Sequence, residues 1–228
     1  MSTAEPPPER IFAPAPVLPK GPHELSREEV ANHQRDRLTS AVAHLVGEQG
    51  YAATTVAAIV KRASVSSGTF YEHFEDKLDC YVAAYDRFAG KLFGRIAAVL
   101  DPPGDWDSFI EGVLGAYLAG IEEDPVIARA FLIEGNAAGR AARLRRQESY
   151  TTFAQLVKLR HEEIRRRDKT LGALPDSAFV AIILGVRELA ADALEAENPR
   201  PTDLTSEIVF WIDALIRGAA PAQAALKR

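Results

Sequence analysis

Residues 54–74 read Thr-Thr-Val-Ala-Ala-Ile-Val-Lys-Arg-Ala-Ser-Val-Ser-Ser-Gly-Thr-Phe-Tyr-Glu-His-Phe, and their spacing decides the fold. The pattern predicts one short helix after Thr54 to about Arg62, and a second from Ser66 to about His73. A tight turn at Ala63-Ser64-Val65 joins them. Two short helices with a connection of about three residues have the spacing of a DNA-binding helix-turn-helix. In that motif the first helix crosses the phosphate backbone, and the start of the second meets base edges in the major groove. Val56, Ile59, Val65, Phe70 and Phe74 have core spacing and set the angle between the helices. Ser66, Ser67, Gly68, Thr69, Tyr71 and His73 are left for the other face.

Each of these residue types suits a groove. Ser66 is placed to cap the helix, whose free N–H groups attract a phosphate. Ser67 and Thr69 carry hydroxyls that donate or accept, and Thr69 adds a methyl for thymine. Gly68 costs about 1 kcal/mol relative to alanine inside a helix, which makes sense where a backbone must approach a ligand closely. Tyr71, His73 and Lys77 are in reach of phosphate oxygens. On spacing alone, an all-α turn without a partner stays open beside the DNA-binding reading.

Working outward, Ser26 and Glu29 form a capping box, and Leu25 and Val30 flank it as a hydrophobic staple. A helix follows with an apolar stripe through Val30, Leu38, Ala41, Val42, Leu45 and Val46, and Gly50 ends it. Asp76 caps a long helix through Leu100, broken by Asp101-Pro102-Pro103-Gly104. Further helices are expected over Trp106–Glu122, Pro125–Gly135, Arg140 to about Lys169, Pro175–Glu197 and Asp203–Arg217. The fold class is therefore all-α: three small helices that hold the helix-turn-helix, then a larger helical bundle. The expected division is a Pro-rich disordered arm at 1–25, the helix-turn-helix domain at 26–77, the bundle at 78–217 and a tail at 218–228.

Gly50-Tyr51, Thr54-Thr55-Val56, Ile59, Val65-Ser66, Gly68-Thr69-Phe70-Tyr71, His73-Phe74 and Lys77 resemble the signature of the TetR family of transcriptional regulators. The resemblance covers about 50 residues without a gap; the helical remainder matches the family in length and segment order only. It implies a homodimer with an N-terminal DNA-binding domain and a C-terminal domain that takes small molecules, most members being repressors released by ligand. By position it implies phosphate contacts from Thr54, Thr55, Tyr71, His73 and Lys77, and groove reading by Ser66, Ser67, Gly68 and Thr69. Two positions depart from the pattern. Ser64 stands where the turn usually has glycine, and Ser67 and Glu72 stand where basic residues are frequent. A left-handed serine costs about 1 kcal/mol, and fewer cations release fewer counterions.

Composition sharpens this picture. The 228 residues hold 27 Lys plus Arg against 32 Asp plus Glu, a net charge of -5. Residues 1–77 alone hold eight basic and ten acidic residues. That excludes a protein that coats nucleic acid by charge, and leaves one that finds DNA with placed hydroxyls, helix N-termini and dimer spacing. Cys80 is the only cysteine, so neither a disulfide scaffold nor a cysteine-based zinc site is expected, and a reducing cytoplasm is the natural setting. The longest apolar run, Ala178–Val186, is far too short to span a bilayer.

In the bundle, paired half-sites on DNA demand a two-fold partner. The last two long helices are broadly apolar, and the resemblance places a four-helix dimer interface there. Its expected residues are Phe179, Ile182, Ile183, Val186, Ala190, Ile208, Trp211, Ile212 and Leu215, with a monomer core as the alternative reading. A ligand pocket is expected among Trp106, Phe109, Tyr117, Phe131, Glu134, Tyr150, Phe153 and His161, with Asn136 nearby. Arg140 to Lys169 holds ten basic residues against four acidic ones. A solvated face opposite acidic neighbours is the preferred reading, and an anionic ligand the alternative.

No nucleotide-binding glycine loop, nucleophile elbow or zinc-protease motif is present, so no enzyme, cofactor or metal is expected. The expected partners are a palindromic double-stranded operator, a second copy of the chain and a small-molecule effector, with no membrane. The alternative is a helical small-molecule-binding or interaction protein whose DNA-binding role is weakened or lost; Ser64, Ser67 and Glu72 speak for it.

Overall fold

The structure, a computed structural model, describes residues 26–99 and 104–226, with side chains as far as residue 219. The Pro-rich arm, Leu25 of the staple and the break at 101–103 lie outside the described residues. Within them the fold is all-α. Helix α1 (Arg27–Gln49) starts on the full capping box: Ser26 Oγ accepts from the Glu29 amide, and Glu29 accepts from the Ser26 amide. Its stripe of Leu38, Val42 and Val46 is fully buried. Against it pack α2 (Val56–Ala63), α3 (Ser67–His73) and the first turns of α4 (Lys77–Ala98).

Helix α4 then leaves the small domain and becomes a wall of the larger one. That domain contains α5 (Trp106–Glu122), α6 (Pro125–Leu132), α7 (Arg140–Arg165), α8 (Asp176–Leu194) and α9 (Thr205–Leu226). Asp105 and Asp124 cap α5 and α6 by accepting from Ser108 and Ile127 amides, and Pro125 occupies the first turn of α6. At the centre Phe131 packs on Phe88, Tyr81 and Tyr85, with ring centroids 4.9, 5.5 and 5.8 Å away. The domains share α4 and also meet where α1 crosses α6. A Cβ on Gly47 would lie 1.9 Å from the Val126 carbonyl oxygen, so that crossing requires glycine.

Three boundaries differ from expectation. Helix α6 stops at Leu132, and a 3-10 turn over Glu134–Ala138 replaces its last turn. Helix α7 ends at Arg165, and Leu171 folds into the core just beyond it. Helix α9 runs on through the segment expected to be a tail, because Ala219, Ala220, Ala222, Ala224 and Ala225 favour helix despite Pro221.

Ser64 is the one described non-glycine residue with positive φ, at 50°. Arg37 Nη2 fixes the turn by donating to the Ser64 carbonyl at 3.2 Å. Ser64→Gly is expected to stabilise the protein by about 1 kcal/mol and to raise the melting temperature by about 2–4 °C, with DNA affinity unchanged. A melting temperature equal to or below wild type in calorimetry contradicts the assigned turn.

Candidate DNA-reading face and effector chamber

The reading face is built by two short helices whose starts are capped. Thr55 Oγ1 accepts from the Ala58 amide, and Ser66 Oγ accepts from the Thr69 amide at 3.0 Å. Thr69 Oγ1 lies 2.9 Å from Ser66 Oγ. Ser66, Ser67, Gly68 and Tyr71 are exposed, Tyr71 at 61%, while Thr69 is half-buried. Phe70 is fully buried beneath them and holds the Tyr71 ring edge-on at 5.3 Å. Tyr71 thus presents its ring outward from α3, on the same short helix as the Ser66 cap.

Three expected phosphate contacts are placed differently. Thr54 is 1% exposed, and its hydroxyl donates to the Gly50 carbonyl at 2.9 Å, so it shapes the loop rather than facing outward. The neighbouring Thr55 is the exposed one. Lys77 Nζ donates to the carbonyls of Tyr51 and Thr54, both at 2.8 Å, and sits 4.1 Å from the Tyr51 ring centroid. This ammonium ties together two carbonyls of the loop after α1, that of Tyr51 also accepting from the Thr54 amide; burial lowers the ammonium's pKa. His73 is half-buried with Nε2 3.2 Å from Gln34 Oε1. Burial, followed by Arg35, lowers its pKa, which favours the neutral imidazole.

Sequence reasoning missed Arg35 and Arg37 on α1. Arg35 donates to the His73 carbonyl at the end of α3 and lies 4.6 Å over the Phe74 ring, while Arg37 holds the turn. A cation at a helix C-terminus complements its dipole. These two side chains therefore brace both ends of the reading segment. Arg62 is engaged by Glu48 through bonds of 2.5 and 2.7 Å, which removes one cation from the face.

The bundle encloses an apolar chamber. Its walls come from α4 (Tyr85, Phe88, Leu92), α5 (Val113, Tyr117), α6 (Phe131), α7 (Tyr150, Phe153) and α8 (Ile182, Ile183, Val186). The enclosed part is narrow, with about 80 Å³ of free space. It shares Phe93, Phe153 and Val157 with an open apolar cavity of about 530 Å³, which Phe109 also lines. At the other end it shares Tyr150 and Arg187 with a cavity of about 350 Å³ that includes Asn136, Arg143 and Arg146. Burial pushes the Tyr85 hydroxyl up to about 12.

Of the expected pocket residues, Tyr117, Phe131, Tyr150 and Phe153 line the chamber and Phe109 lines its extension. Trp106 and His161 do not: Trp106 is 1% exposed and packs edge-on against the His161 ring at 5.2 Å. His161 is also buried against Phe179, and burial lowers its pKa. They form a core pair because both sit on the inward stripes of their helices. Glu134 stands in the 3-10 turn, with Oε2 3.1 Å from the position of a Cβ on Gly50.

The expected dimer residues divide as well. Phe179, Ile182, Val186, Ala190, Ile208 and Ile212 are each 5% exposed or less and belong to the protomer core. The regular apolar stripe of a helix faces its own core first. The outward residues are Phe210 at 75%, Leu215 at 46% and Leu184 at 43% exposed. Ile183 and Trp211 are half-buried, and Trp211 reaches within 3.9 Å of the Cβ position of Gly185, which joins the two helices.

A helix-turn-helix domain joined through one long helix to a bundle with an apolar chamber defines the class of this protein. Residues 38–84 match the family of bacterial regulatory proteins described as the tetR family. Over 89 residues it is 33% identical to the HTH-type transcriptional repressor KstR2 of Mycolicibacterium smegmatis, covering 39% of this chain and 42% of that protein. Over 98 residues it is 28% identical to the nucleoid occlusion factor SlmA of Aliivibrio fischeri, covering 42% and 50%. The chain thus spans at most about half the length of these curated relatives in the matches. Two solved structures share the fold. The fatty acid degradation regulator FadR from Bacillus halodurans aligns with a TM-score of 0.70 and 18% identity, over 79% of this chain and 94% of that one. The transcriptional regulator FadR from Bacillus subtilis in complex with stearoyl-CoA aligns with 0.71 and 16%, over 79% and 98%. Among the described residues no helix is long and apolar enough to cross a membrane, and no cluster of three metal-ligating side chains occurs.

Proposed function

We propose that the protein is a homodimeric, sequence-specific transcriptional repressor that a small apolar effector releases from its operator. The observation that carries the DNA-binding part is the exposed surface of Ser66, Ser67, Gly68 and Tyr71 at the capped start of α3, on a fully packed base. One such unit offers a small interface, and two of them about 34 Å apart read paired half-sites. The exposed apolar residues of α8 and α9 supply a face for the second copy.

Release follows from connectivity. Helix α4 carries Lys77, tied to the loop before α2, at one end, and Tyr85, Phe88 and Leu92 of the chamber wall further along. A ligand that widens the narrow chamber displaces α4, and the reading domain moves with it. Taking the protein from 99% bound to 1% bound requires roughly 10⁴-fold differential affinity, about 5.5 kcal/mol. The wall chemistry suits an unbranched hydrocarbon, in keeping with the stearoyl-CoA held by the structurally similar Bacillus subtilis regulator.

A mobility shift with the DNA upstream of the gene, comparing wild type with Tyr71→Ala, tests the reading face. Tyr71→Ala is expected to weaken binding to every bound sequence by about tenfold, or about 1.4 kcal/mol, while Ser67 and Thr69 substitutions change sequence preference. Unchanged affinity of Tyr71→Ala at physiological salt contradicts the assignment.

A further inference from the structure

The start of α7 is chemically unlike the rest of that helix. Arg145 pairs with Asp86 at 2.6 Å and Glu148 at 3.0 Å, Lys158 with Asp176 at 2.7 Å, and Arg160 with Glu163 at 2.7 Å. These cations face acidic neighbours, as the preferred reading of the basic helix expects. Arg146 does not. It is 5% exposed, its Nη2 donates to Asn136 Oδ1 at 2.9 Å, and its Nη1 is buried without a hydrogen-bond partner. Among the described residues no carboxylate forms an ion pair with it. A guanidinium cannot shed its proton, so a fixed positive charge is held inside the protein uncompensated. Such a charge is strongly unfavourable unless something pairs with it.

A second guanidinium adjoins the same cavity. Arg187 donates to the Leu132 carbonyl and pairs with Glu188 at 2.7 Å, and its Nε is buried without a partner. It also lies 5.9 Å from the Tyr150 ring centroid. The backbone makes room for the arrangement: a Cβ on Gly135 would lie 2.3 Å from Arg146 Nη1 and 2.7 Å from the Tyr81 hydroxyl. Tyr150 and Arg187 line both this basic cavity and the apolar chamber, so the two adjoin at these side chains.

We infer that Arg146, with Arg187, is a built-in anion site, and that the effector is an amphiphile with a carboxylate or phosphate head there and a hydrocarbon tail in the chamber. This rests on the effector reading of the chamber. The planar fork of a guanidinium matches the two oxygens of either head. The inner chamber alone is too narrow for a long tail. The adjoining cavities of about 350 and 530 Å³ are each on the ~300–1,000 Å³ scale of small-molecule sites, and the tail is placed from the basic end toward the open apolar end.

Calorimetric titration of the full chain with laurate, dodecyl phosphate and dodecanol tests the inference. Wild type is expected to bind at least one of the two anions at least tenfold more tightly than dodecanol. The favoured anion separates a free fatty acid from a phosphate-bearing carrier. Arg146→Met is expected to bring the anions to the level of dodecanol, leave dodecanol within about twofold, and keep or raise the melting temperature of the unliganded protein. Arg146→Lys should retain the head preference. Should Arg146→Met fail to fold, the wild-type head preference at 50 and 300 mM salt decides, and it should shrink at the higher salt. Equal binding of all three compounds, or a head preference that survives in Arg146→Met, overturns the anion site and leaves the chamber standing. If none of the three binds, both readings fall.

Discussion

Phe210→Glu is expected to convert a dimer into a monomer at micromolar concentration and to lower operator affinity at least a hundredfold, about 2.7 kcal/mol. Phe210 is a large aromatic residue at 75% exposure, and it lies on one surface with Leu215, Ala214 and Gly218 along α9. Trp211 beside it packs toward Gly185, so Leu184 and Ala181 of α8 extend the same surface. The small residues allow two copies of the face to approach closely. A two-fold interface repeats each substitution, so Phe210→Glu buries two unpaired carboxylates. Each costs several kcal/mol when desolvated without a partner. Because the side chain is exposed in the protomer, the substitution leaves protomer folding intact, and the melting curve separates dissociation from unfolding. Sedimentation equilibrium reads the outcome. A species of twice the chain mass that persists in Phe210→Glu contradicts this interface.

Gly47→Ala is expected to destabilise the protein by about 2 kcal/mol. Overpacking a tight contact costs about 1–3 kcal/mol, and the contact here falls at the upper end because the obstacle is the Val126 backbone carbonyl, 1.9 Å from the added carbon. Alanine returns about 1 kcal/mol through its helix propensity. The melting temperature should fall by about 4–8 °C. The same crossing of α1 over α6 joins the reading domain to the chamber domain, so the distance between paired reading heads shifts and operator affinity falls as well. An unchanged melting temperature contradicts the close crossing.

How much of this was legible in the sequence follows from which signals are local. The Ser26 capping box, the Ser66 cap and the tight turn at Ser64 are written in a few adjacent residues, and they are found where expected; the second helix is capped by Thr55, one residue beyond the start read from the sequence. Side chains that answer distant backbone groups were not legible. Lys77 was expected at phosphates, yet it closes on the Tyr51 and Thr54 carbonyls across 26 and 23 positions. Thr54 and Thr55 are neighbours of identical chemistry, and only the fold turns one inward and the other outward. On α8 and α9 the regular stripe of Ile182, Val186, Ile208 and Ile212 is core, and the off-stripe Phe210 is the outward residue. Helices apolar on two faces gave both surfaces away but not which was which. In the basic run of α7, Arg145, Lys158 and Arg160 pair with carboxylates, while Arg146 stands out only once its missing partner is seen.

The capped start of α3, presented twice by a dimer, is expected to read a defined DNA sequence. Selection of bound sites from random double-stranded DNA with the full chain tests it most directly. The predicted result is an enriched palindrome whose half-sites lie about one helical turn, roughly 10–10.5 base pairs, or a multiple of it apart, with enrichment lost in Tyr71→Ala. Recovery of no enriched sequence by the folded wild-type protein contradicts the claim.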